Sequence, residues 1–120
     1  MFAYKLFQSG LNSQTVACFT DVAAALTATG TTQATAYSMT YDVNEFTTVA
    51  SGTGAVLSSV AVAGDEQTIY NGGANALKVY PNSGAKINGL PTDTGILLAP
   101  NTACSFQKVS STRWIGKLSA

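Results

Sequence analysis

The side chains able to carry proton-transfer or nucleophilic chemistry here are six carboxylates and two cysteines, and the chain contains no histidine. Lack of histidine removes the commonest general base, the Ser–His and Cys–His nucleophile pairs, and most transition-metal sites. Cys18 and Cys104 stand far apart in apolar or small-residue runs, without zinc spacing, and read as buried thiols in a reducing compartment. Asp65 and Glu66 are neighbours, which on a strand places them on opposite faces. Asp21, Asp42, Glu45 and Asp93 are scattered, and a glycosidase-like acid pair would have to be assembled by folding. Turn-capping and solvated roles are the expectation for all six. Gly52, Thr53 and Gly54 begin like a dinucleotide fingerprint, but the third glycine and its helix are missing. Neither an enzyme nor a cofactor is expected.

Binding chemistry is the alternative. Tyr37, Tyr41, Tyr70, Tyr80 and Trp114 could stack on sugars, but a core this small needs its aromatics. Six basic residues (Lys5, Lys78, Lys86, Lys108, Arg113 and Lys117) form no run suited to phosphates. Three of them fall near the C-terminus and read as a solvated strand pair, so no nucleic-acid partner is expected.

These residues must be positioned by a chain of 120 residues, enough for one domain. Only 10% of residues are charged and the net charge is zero, whereas a typical soluble domain has about 25% charged residues. Sixteen Thr, 11 Ser and 7 Asn replace the missing charge. Copies of such a surface repel one another little, which favours association. No 18-residue apolar stretch, secretory-type leader or glycosylation sequon is present, so a protein folded in a cytoplasm, without a membrane span, is expected.

Short runs with period-2 alternation, separated by Gly, Asn and Pro, recur about every ten residues, the rhythm of a sandwich or barrel. Residues 35–41, 43–50, 55–62, 66–70, 76–80, 104–110 and 113–118 read as strands, with 86–90 and 96–98 as two short segments between them. Residues 71–75 read as a reversal that pairs 66–70 with 76–80, and Pro81 as the end of that ladder. Leu77 and Val79 should face the core, with Lys78 and Tyr80 opposite. Phe106 is a further core candidate, and Trp114, alternating with Gly116 and Leu118, should fill the middle of the core. One short helix is expected at most, over residues 21–28, capped by Asp21 and ended by Gly30.

Residues 64–81 (GDEQTIYNGGANALKVYP), continuing as 82–90 (NSGAKINGL) to Phe106 and Thr112–Arg113–Trp114, resemble a segment common in bacteriophage virion proteins. Residues 26–34 and 49–57 are similar to the same class. The resemblance covers about residues 26–115. It implies a jelly-roll-like β-sandwich, generally trimeric, of the kind found in head-decoration (cement) proteins and at the ends of head or tail fibres. It carries no catalytic residues. The expected organisation is an N-terminal extension over 1–25 and a sandwich over 26–120. Phe2, Tyr4, Leu6 and Phe7 are candidates for contacts with a capsid or a neighbouring subunit. The implied protein is a homotrimer on the major capsid protein at the virion surface, since 120 residues leave no room for a fibre shaft. The alternative is a fibre tip that binds a receptor or host glycan.

Overall fold

The computed structural model describes residues 21–118. Within them the chain is all-β, in ten strands. These are β1 (Val22–Thr27), β2 (Tyr37–Ser38), β3 (Val43–Thr48), β4 (Gly54–Val56), β5 (Glu66–Asn71), β6 (Leu77–Tyr80), β7 (Lys86–Ile87), β8 (Ile96–Leu98), β9 (Thr102–Ser110) and β10 (Arg113–Leu118).

Two sheets share the core. One has the order β1-β3-β5-β9-β10-β7 and the other β2-β4-β6-β8. From β1 to β6 the chain alternates between sheets at every strand. Each strand lies parallel to the one a full turn earlier: Val22 beside Val43, Val43 beside Thr68, Tyr37 beside Ala55, and Ala55 beside Val79. This is a short two-sheet coil, a β-solenoid-like winding in which each turn rests on its neighbour. The last part of the chain reverses. β9 runs antiparallel to β5 and β10, and β8 antiparallel to β6.

That architecture corrects the jelly-roll expectation, because a jelly roll is built from antiparallel Greek-key pairings. It also corrects three local readings. Residues 66–70 and 76–80 do not form a hairpin: β5 and β6 belong to different sheets, and the turn between them carries the chain across the core. Asn71 holds that turn, its buried amide donating to the Asn75 and Leu98 carbonyls (both 2.8 Å) while its oxygen accepts the Gly73 N–H (2.9 Å). Residues 22–27 are a strand, not a helix, since ladder pairing with β3 outweighs the modest helix preference of alanine. Ala25 there adopts φ +56°, within a register irregularity of the ladder. The runs read over 35–41 and 55–62 contribute only two residues of strand each, Tyr37–Ser38 and Ala55–Val56.

The core lies between the sheets and includes Met39, Phe46, Leu57, Ile69, Leu77, Val79, Ile87, Leu98, Phe106 and Trp114, none more than 1% exposed. Each such side chain contributes about 1.5–3 kcal/mol through removal from water. Gly116 faces Phe106 across the β9–β10 ladder, and a Cβ there would sit 2.9 Å from the Phe106 ring. The glycine therefore makes room for the phenylalanine. Tyr80 is buried, contrary to the outward orientation expected of it, and its hydroxyl donates to the Thr31 carbonyl (3.3 Å).

Candidate binding surface

The carboxylates serve the backbone. Asp21 and Asp42 cap one another: the Asp42 N–H donates to the Asp21 carboxylate (2.9 Å) and the Asp21 N–H to that of Asp42 (3.3 Å). Glu45 accepts from Ala25 N–H, Asp65 from Val62 N–H, and Asp93 from Gly84 N–H and the Gln33 amide. Burial raises the Asp42 carboxyl above its ordinary range; the Asp21 backbone N–H opposes this, and the charges of Asp21 and Asp65 reinforce it. The Gln33 amide and the Gly84 N–H hold Asp93 below its ordinary range. Five of the six acids thus have backbone-capping work, and Glu66 is exposed.

Cys104 is a buried free thiol that donates to the Ser105 carbonyl (3.8 Å), and burial pushes its pKa up to about 11, against a smaller opposing effect of the Lys117 N–H. A thiol so raised is a poor nucleophile. Among the described residues no group of three His, Cys, Asp or Glu is placed to hold a metal ion. Cys18 and the candidate contact residues Phe2, Tyr4, Leu6 and Phe7 lie outside the described residues.

The five aromatics do not form a platform. Trp114 is 1% exposed, and its indole N–H donates to Asn82 Oδ1 (2.8 Å). Tyr80 is buried, and half-buried Tyr37 packs edge-on against Phe46, ring centroids 5.6 Å apart. Only Tyr41 and Tyr70 are exposed.

The most prominent surface feature is the loop between β4 and β5. Val60 is 81% exposed and Val62 65%, yet the loop carrying them is held at many points. Ser58 N–H donates to Gln67 Oε1 (2.8 Å), and the Gln67 amide nitrogen donates to the Tyr41 carbonyl (3.0 Å). Val60 N–H reaches Ser58 Oγ, and Val62 N–H the Asp65 carboxylate. The Gly64 N–H donates to the Lys108 carbonyl and the Lys108 N–H to that of Asp65. Beneath the loop, the Lys108 ammonium donates to the Ala61 carbonyl (2.9 Å) and lies 5.3 Å from the Trp114 ring centroid. A cleft of about 120 Å³ separates the loop from exposed Tyr41, with Asp42, Asp65 and Glu66 among its lining residues.

Such a loop can offer apolar contacts at low ordering cost, because its backbone is already fixed. Lys108 is 3% exposed, which corrects its assignment to a solvated strand pair. Its inward orientation was detectable in the sequence, since residues 104, 106 and 108 share one strand face, although what lies above it was not. The valine loop was not detectable: residues 55–62 are rich in the apolar and β-branched residues that strands prefer, and the tertiary bonds from Gln67 and Lys108 hold those beyond β4 as a loop. Compared with known proteins, the chain matches no family model, no curated protein and no solved structure.

Proposed function

We propose that this protein is a bacteriophage capsid decoration protein, a non-enzymatic homotrimer that binds the major capsid protein on the outer head surface and stabilises it. The observation that carries the reading is the rigidly held loop presenting Val60 and Val62 on an otherwise weakly charged surface. Exposed apolar side chains on a fixed backbone suit contact with another protein surface. The resemblance of residues 26–115 to virion proteins supplies the partner. Attachment is assigned to Phe2, Tyr4, Leu6 and Phe7 together with this loop, and many weak contacts add through avidity on a repeating lattice. A glycan-binding fibre tip has less support, because burial of Trp114 removes the best stacking surface.

The test is to mix the purified chain with phage heads stripped of surface proteins and to measure bound copies per capsid subunit. Saturable binding at a fixed ratio is expected, lost when residues 1–12 are deleted and weakened by Val60→Asp. Failure of the full chain to bind overturns the reading.

A further inference from the structure

Across β5, β9 and β10 the outer face of the six-stranded sheet is uncovered among the described residues. On β5, Glu66, Thr68 and Tyr70 alternate with buried Gln67, Ile69 and Asn71. On β9, Ser105, Gln107 and Val109 alternate with buried Cys104, Phe106 and Lys108. Ile115 and Lys117 stand on the same face of β10, on either side of Gly116. Strand register arranges these residues in rows. Glu66, Gln107 and Ile115 form one row, and Thr68, Ser105 and Lys117 the next.

The middle of this face is uncharged, with Thr68 and Ser105 hydroxyls bonded to each other at 3.2 Å. Its charges lie on the flanks: Glu66 on the β5 side, and Arg113 and Lys117 on the β10 side, with Glu66 and Lys117 two strand spacings across and two residues along from each other, about 12 Å apart. Among the described residues neither side chain has a hydrogen-bond or ion-pair partner. Val109 and Ile115, 38% and 48% exposed, add apolar area towards β10. A face with opposite signs on opposite flanks is complementary to a copy of itself. Around a three-fold axis the β5 flank of each copy meets the β10 flank of the next, which brings Glu66 to Lys117 at all three corners.

We infer that the outer face of β5, β9 and β10 is the surface on which three copies of this chain meet, Glu66 of each pairing with Lys117 of the next. The inference rests on the assembly reading above and assigns its subunit contact. Sedimentation equilibrium on the full chain tests it. Glu66→Lys and Lys117→Glu should each weaken association roughly ten-fold or more by creating like-charge contacts, and the double variant should recover it. Ile115→Ser should weaken association without changing charge. The three residues changed are exposed at the surface and the bonded hydroxyl pair is left untouched, so circular dichroism should be unchanged. Single variants that associate as the parent does, or a double variant that stays dissociated, overturn the inference. A chain that is monomeric at micromolar concentration yet saturates phage heads overturns this contact and the trimer, and leaves only the head-binding part of the reading standing. A trimer that shows the charge-swap rescue but ignores heads supports the contact and refutes the reading.

Discussion

The two ends of the sheet stack are built differently. At one end, β9 and β10 pair over most of their length, and β9 buries Cys104, Phe106 and Lys108. Trp114 closes that end between the Asn82 side chain and the Lys108 ammonium. At the other end β1 buries no residue fully, contains Ala25 at positive φ, and pairs with β3 through two register irregularities. Its companion β2 has two residues. The contrast teaches that a winding of stacked turns is held unevenly: stability concentrates where a long antiparallel pair seals the core.

The largest expected effect lies at the sealed end. Trp114→Ala should lower unfolding free energy by about 3–5 kcal/mol, through cavity formation and the loss of the Asn82 bond. Leu26→Ala, at a half-buried position of β1, should cost about 1–2 kcal/mol, since less apolar area leaves water on folding. Urea melts of both variants measure the difference, and equal costs would break the comparison.

A smaller effect of opposite sign is expected at the loose end. Alanine at φ +56° bears a Cβ–carbonyl clash that glycine lacks. Ala25→Gly should therefore stabilise by about 0.5 kcal/mol, after the greater freedom of glycine in the unfolded chain is subtracted. A rise in melting temperature sharpens the comparison, and a fall shows that this bulge is not strained.

The smallest effect is a pH dependence in the turn beside the sealed end. Asp93 has a depressed pKa in the fold, so its contribution is present above the unfolded value and is lost as pH falls through the folded one. Asp42 runs the other way, because its raised pKa makes protonation favour the folded state. Asp93→Asn keeps a side chain that tolerates the φ of +64° and removes only the titration. Its melting temperature should fall less than that of the parent between about pH 5 and pH 2. Parallel pH profiles would show that Asp93 contributes nothing through its charge.

Much of this was legible locally. Dense Thr and Val with Gly, Asn and Pro punctuation specify strands and turns whatever their partners, because side-chain alternation depends only on extended backbone. Phe106 and Trp114 stand at inward positions of such runs, and both are buried. Local pattern misled at residues 21–28, where alanines and a capping aspartate imitate a helix start, and at 66–80, where Asn and Gly imitate a hairpin turn.

The sequence by itself determined the all-β class, the scarcity of charge and the absence of histidine from any site. Tertiary structure alone decided that β5 and β6 separate into two sheets, that Lys108 lies beneath the valine loop, and that Glu66 and Lys117 flank one face. The physical reason is range: alternation is set between a residue and its neighbours, whereas the partner of a strand is chosen by burial and ladder bonds across 20 or more residues, from Val22 to Val43 and from Val43 to Thr68.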